Sequence, residues 1–151
     1  MRVAVIGAGA RFALAAYIRD AGGQVVVVAD VDSRAEDRAR SVLDHDVRFV
    51  SSHHEVDEVD GAFVLTPDGT HAGIAADLLA RGIPVYLEKP MALDIDDCDV
   101  ILAAAMQARI GEAPVIGRDW RNDCARGPPM LARDASRAGT FFLPISHART
   151  R

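Results

Sequence analysis

Apolar residues in this chain fall into short blocks, each followed by a stretch with helical spacing. Residues 2–6, RVAVI, are a compact β-branched run that predicts a buried strand. After Gly7-Ala8-Gly9, the positions of Phe12, Leu14, Ala16, Tyr17 and Ile18 predict a helix, closed by Gly22-Gly23. QVVVVAD, 24–30, predicts a second buried strand. Ser33-Arg34-Ala35-Glu36 fits a capping box that opens a helix running to about Leu43. Further strands are predicted at 47–50, 61–67, 84–88 and 113–117. The polar stretch 51–60 has room for about one helical turn. A helix over 70–81 places Ile74 and Leu78 four apart and ends at Arg81-Gly82. Another is capped by Asp94, with Asp96 and Asp97 in its first turn and Cys98, Ile101, Leu102 and Ala105 on one face. Strand and helix alternating with short loops predict an α/β fold: a doubly wound parallel sheet in three αβα layers. No repeat of solenoid length is visible.

Composition narrows the class. The 151 residues suit one ordinary domain, and half of them are hydrophobic. A net charge of −5 argues against a nucleic-acid partner. Cys98 and Cys124 form no CxxC pair and no metal spacing, so reduced thiols and a cytoplasmic location are expected. Gly7, Gly9 and Arg11 interrupt the amino-terminal apolar run, which argues against a secretory signal. No stretch reaches the ~20 apolar residues that cross a bilayer, so no membrane partner is expected.

Two places carry candidate chemistry. In the first, a strand leads through Gly7-x-Gly9 into a helix. The first glycine permits a tight turn and the second lets a phosphate approach the backbone, which offers free N–H groups to a pyrophosphate. Phe12 stands where the fingerprint has glycine or alanine, so a plain tight turn is the competing reading. Asp30 ends the second strand, where a carboxylate accepts the ribose hydroxyls of an adenosine and repels a 2′-phosphate. NAD is therefore favoured over NADP, with Arg34 near enough to weaken the preference. A turn aspartate is the alternative role for Asp30. A methyltransferase using S-adenosylmethionine would show a similar glycine turn and acidic residue.

The second place is Glu88-Lys89-Pro90, which holds the single lysine of a chain otherwise rich in arginine. It falls at the carboxyl end of the fifth predicted strand, where parallel sheets bind ligands. Pro90 biases Lys89 towards extended backbone, and the bond between them is a candidate cis peptide. A lysine ammonium is a compact charge with three rotatable donors, suited to a substrate hydroxyl or a developing alkoxide. A solvated surface lysine is the plain alternative. His53-His54-Glu55 is set aside as a metal site, because adjacent histidines in a polar loop rarely converge on one ion. No nucleophile elbow or P-loop is present.

The segment TPDGTHAGIAADLLARGIPVYLEKPMAL, with the glycine turn upstream, closely resembles the amino-terminal domain of the glucose–fructose oxidoreductase / inositol dehydrogenase / MocA family. The resemblance covers roughly residues 1–117, and it disfavours the methyltransferase. It implies a Rossmann-type NAD(P)-binding domain over residues 1–118, with oxidoreductase ancestry. It implies that Gly7, Gly9, Ala10, Arg11 and Phe12 meet the pyrophosphate and Asp30 the adenine ribose. Thr66, Pro67, Asp68 and His71 would line the cofactor cleft. Glu88 and the catalytic candidate Lys89 would lie towards the nicotinamide ribose and a sugar or polyol substrate. A structural hydrogen bond is the alternative role for His71.

Family members continue into a second domain carrying an Asp-x-x-x-His pair. Here Leu143 stands four residues before His147, and Arg118-Asp119 replaces the usual pair at the junction. Residues 119–151 turn basic and lose periodicity. They are expected to be an irregular tail, either the truncated start of a second domain or disordered. A truncated or frame-disrupted product, a stand-alone binding module and half of a two-chain enzyme all fit. The composition change near residue 118 favours the first. A non-catalytic nucleotide-binding or partner-binding protein is the functional rival. Exposure of surface that a second domain would cover makes self-association an expectation.

Overall fold

The computed structural model describes residues 1–43 and 47–108. Five strands, β1 (Arg2–Ile6), β2 (Gln24–Ala29), β3 (Arg48–Val50), β4 (Gly61–Val64) and β5 (Val85–Leu87), pair in parallel in the order β3-β2-β1-β4-β5. The helices are α1 (Leu14–Asp20), α2 (Ala35–Leu43), α3 (His71–Ala80) and α4 (Ile95–Gln107). The chain runs outward from β1 through β2 to β3, then returns to the other side of β1 for β4 and β5. The order therefore reverses between β1 and β4, which opens a crevice at their carboxyl ends.

Both faces of the sheet are covered. Along β1, Val3 and Val5 join Phe12, Ala15, Ile18, Ala35, Ala39 and Leu43 on one side. Ala4 and Ile6 face Ala75, Leu78, Leu79 and Ile101 on the other. Complete burial on both faces is why the strands read as unbroken apolar runs rather than alternating ones. The register between β1 and β2 slips at Val3/Ala4, so that Val25 pairs with Val3 and Val27 with Ala4. Val26 is the extra residue of this bulge, which a run of four valines cannot reveal.

Among the described residues the predicted elements stand, with shifted edges. α1 starts at Leu14, later than the helical pattern suggests. Phe12, Leu14, Ala15 and Ala16 each donate to the carbonyl three residues back, so the chain after Gly9 is wound tightly before it relaxes into a helix. At Ser33 the contact made is Glu36 N–H to the Ser33 carbonyl. A reciprocal capping box forms instead at Ser52 and Glu55, around the one-turn 3₁₀ segment His53–Glu55. The strand predicted at 113–117 and the 119–151 tail lie outside the described residues. No helix among the described residues is long and apolar enough to cross a membrane.

Asp94 accepts the Asp97 N–H at 2.9 Å and caps α4, whose Ile101 is buried against α3 and the sheet. Asp94→Ala is expected to destabilise the fold by about 1 kcal/mol through the lost cap. Urea unfolding checks this, and an unchanged midpoint would show that the cap contributes nothing.

Candidate functional site

Four strand ends meet at the carboxyl rim, in the spatial order β2, β1, β4, β5. Ladder-like bonds carry the pairing one step past each strand: Gly7 N–H to Ala29 O, Leu65 N–H to Ile6 O, and Glu88 N–H to Val64 O. The rim thus brings together Gly7, Asp30, Thr66 and Glu88, the residues that sequence reasoning singled out at separate places.

Gly7 has φ +93, and a Cβ there would lie 3.0 Å from both Thr66 Cγ2 and Thr66 N. The protein itself demands this glycine twice, for its dihedral and for close approach to the β4 end. Gly9 is different. Among the described residues a Cβ there would meet nothing within 4 Å, and its φ is ordinary, so no contact with them requires it. Around it, the N–H groups of Gly9, Ala10 and Arg11 have no backbone or side-chain acceptor among the described residues. Gly9 and Ala10 are exposed while Phe12 is only 1% accessible. The turn therefore offers open donors outward and an aromatic anchor inward. Phe12, expected at the pyrophosphate, places its ring in the core, and its N–H bonds Gly9 O.

Asp30 shapes this turn. Its Oδ2 accepts the Ala8 N–H at 2.7 Å and its Oδ1 the Asp32 N–H at 2.8 Å. Each oxygen retains a lone pair for a further donor. Arg38 of α2 donates to Ala8 O at 2.6 Å, so the Ala8 residue is held from both sides. Arg38 escaped the sequence reading. The one available signal was its place between the buried Ala35 and Ala39, on the edge of α2 nearest the sheet. Arg34 pairs with Asp32 through two contacts of 2.9 Å, and the guanidinium holds the Asp32 carboxyl below the usual carboxylate range.

His71 is fully buried at the start of α3. Its Nδ1 lies 3.0 Å from Pro90 O and its Nε2 2.9 Å from Thr66 O. It was expected to line the cleft. Its ring instead ties the end of β4 to the segment after β5, so it builds the wall from behind. Pro67 is exposed and Asp68 half-buried at the head of the one-turn segment Asp68–Thr70, on the rim side of α3. The Lys89–Pro90 peptide is cis. Glu88 is buried and accepts from Arg11 Nη1 at 2.6 Å, joining the glycine turn to the β5 end across β4. Lys89 is exposed and its ammonium has no partner among the described residues.

A second cluster lies away from the rim. His53 and His54 stand beside Asp77 of α3, a residue that no linear motif connects to them. Burial, and then the neighbouring His54, hold His53 below the ordinary histidine range. Shallow concavities on the amino-terminal rim are bordered by Arg2, Arg48, Asp57 and Glu58, and Arg48 pairs there with Asp57.

A parallel sheet with its order reversing at β1, and a glycine turn leaving that strand, define a Rossmann-type domain. Residues 1–110 match the Gfo/Idh/MocA family, described as an oxidoreductase family with an NAD-binding Rossmann fold, and the chain belongs to that family. Inositol 2-dehydrogenase 1 of Saccharopolyspora erythraea is 33% identical over 114 residues, covering 68% of this chain and 32% of that protein. The crystal structure of GenD2 from gentamicin A biosynthesis, in complex with NAD, is similar with a TM-score of 0.63 and 29% identity. That match covers 72% of this chain and 32% of that one. The WlbA dehydrogenase of Chromobacterium violaceum, in complex with NADH and UDP-GlcNAcA, has a TM-score of 0.67 and 25% identity, covering 81% and 36%. The chain spans about a third of the length of these relatives.

Gly7→Ala is expected to cost about 1–3 kcal/mol, because the side chain forces either the dihedral or the Thr66 contact to give. A shift of the urea midpoint measures it. Wild-type stability in this variant would mean that the turn relaxes freely.

Proposed function

We propose that this chain binds a nicotinamide dinucleotide, NAD in preference to NADP, along the carboxyl rim of its sheet. We further propose that it serves hydride transfer to or from the carbinol carbon of a sugar or polyol. The observation that carries the reading is the row of N–H groups at Gly9, Ala10 and Arg11, in exposed residues and without an acceptor among the described residues, beside a glycine that no contact with those residues explains. An anion close to the backbone explains both. The turn amides and Arg11 suit the pyrophosphate, and the free lone pairs of Asp30 suit the ribose hydroxyls. Val31, 94% exposed just past β2, offers an apolar surface for the adenine. The NAD preference rests on the carboxylates of Asp30 and Asp32, which oppose a 2′-phosphate. Arg34, the cation that would favour it, is already engaged by Asp32.

The bound nicotinamide would supply the hydride acceptor or donor. What this chain adds is placement and charge. Glu88, and Thr66 held through His71, would form the far wall of the cleft. The Lys89 ammonium, without a partner among the described residues, would donate to the substrate oxygen and stabilise the negative charge developing on it. NAD and NADH in the GenD2 and WlbA structures support the cofactor, while the inositol dehydrogenase and UDP-GlcNAcA relatives support the substrate class. Leu93, Ile95, Val100 and Met106, exposed on and beside α4, support self-association.

Gly9→Val is expected to weaken NADH binding at least about tenfold, a loss of ~1.4 kcal/mol, while leaving the melting temperature unchanged. Fluorescence titration of NADH and a thermal melt read the two effects separately. Unchanged affinity would remove the pyrophosphate assignment. Lys89→Ala is expected to lower NAD⁺ turnover with a responsive polyol or sugar by about 10²-fold or more, with NADH affinity little changed. A wild-type chain that titrates NADH yet turns over nothing across a broad polyol panel would leave the binding module and remove the enzyme.

A further inference from the structure

We propose that His53, His54 and Asp77 form a binding site for a late first-row divalent cation, zinc above all, on the flank of the domain. Nothing in the dinucleotide reading uses these residues. The histidines occupy the one-turn 3₁₀ segment after β3, and Asp77 lies in α3. His54 Nδ1 is 3.4 Å and His53 Nε2 3.7 Å from Asp77 Oδ2, and the three donor atoms all lie within 4.8 Å of one another. Zinc bound tetrahedrally at about 2.0–2.2 Å from each donor sets donor–donor edges of about 3.3–3.6 Å. The two distances to Asp77 already approach that value. Two imidazoles and one carboxylate leave a fourth position for water, a donor set that suits zinc, copper or nickel better than magnesium or calcium.

The scaffold holds the donors in place. The Ser52 side chain accepts the His54 N–H, and Glu55 reaches back to the Ser52 N–H at 3.1 Å, which locks the turn that carries both rings. Those bonds also keep Glu55 out of the donor set, so the linear His-His-Glu motif is not the site. Arg81, one turn beyond Asp77, donates to the carbonyls of His53 and Val56 and pins the turn to α3. Its Nη1 also lies 3.3 Å from Asp77 Oδ2, and it is the charge a cation must displace from that oxygen. The carbonyls of His53 and Val56 remain as acceptors for the guanidinium when it gives up the carboxylate. His71 begins α3 at the rim, and Asp77 sits six residues, or about 9 Å, further down the helix. The cation would therefore staple the β3–β4 connection to α3 without entering the cleft.

The test is zinc titration of the chelator-treated full chain by calorimetry, with Co²⁺ as a spectroscopic substitute. Expected are one zinc per chain and the visible absorption of tetrahedral Co²⁺. His54→Ala and Asp77→Ala should each weaken zinc at least tenfold and abolish the Co²⁺ band. His54 is 66% exposed in its side chain, with its ring against His53, so the variant tests ligation with little loss to the core. Circular dichroism checks this for both variants. A wild-type chain that takes up no zinc overturns the proposal, as does zinc binding that survives both substitutions unchanged. Gly9→Val should bind zinc like wild type, so failure of the zinc site and failure of the dinucleotide reading are told apart.

Discussion

The anchoring of Ala8 is the constraint on which the rest of the rim depends. Its N–H is held by Asp30 at the end of β2, and its carbonyl by Arg38 from α2. Gly7 before it takes a positive φ against Thr66. A turn leaving a central strand is thus fixed by the strands on both sides and by a helix above. With this residue held, the next three residues, whose N–H groups have no acceptor among the described residues, start from a fixed point. A flexible turn would have to be ordered when an anion arrived, at roughly 1–2 kcal/mol per residue in backbone entropy. The chain meets that cost during folding, through burial of Phe12, Val5 and Val28 beneath the turn.

The far wall is built by the same logic with different parts. His71 bridges two backbone carbonyls, one after β4 and one after β5, from a fully buried position. Both partners are carbonyl oxygens, so each contact needs a hydrogen on the ring nitrogen that faces it. Whichever nitrogen bears a hydrogen, the ring lies between the Thr66-Pro67 and Lys89-Pro90 segments and sets their spacing. His71 is here a brace, the structural role that was its alternative reading, while Lys89, next to the braced Pro90, is exposed.

The fold was legible because burial on both faces writes itself into the sequence as β-branched blocks. Capping and glycine stops mark the helices between them, as at Asp94 and Gly82. Gly7 and Asp30 were legible because a motif of fixed spacing ties them to strand ends. What stayed hidden depends on contacts between distant residues. The bulge at Val26 is invisible in a run of valines, because it is set by register against β1. Arg38 at Ala8 and Arg11 at Glu88 join residues 30 and 77 positions apart. Asp77 meets His53 only because α3 packs beside the turn after β3. The late start of α1 follows from the tight winding after Gly9, which the apolar periodicity of Phe12 and Leu14 does not separate from a helix.

The Arg11–Glu88 pair shows why backbone and side chains carry different duties at this rim. At 2.6 Å it is close, yet the Arg11 side chain is 43% exposed, and a pair so open to water is worth at most about 1 kcal/mol. Losing it would scarcely loosen the fold. Glu88, at 11%, is the more enclosed partner and has the stronger need for a donor. An anion at the turn would draw Arg11 towards itself, and ribose hydroxyls beyond the turn could then donate to Glu88 in its place. The backbone of the rim, held by Gly7, Asp30 and His71, has no comparable freedom. Stiffness in the donors and softness in the charges is the combination that lets a cleft be prepared for a ligand without being closed against it.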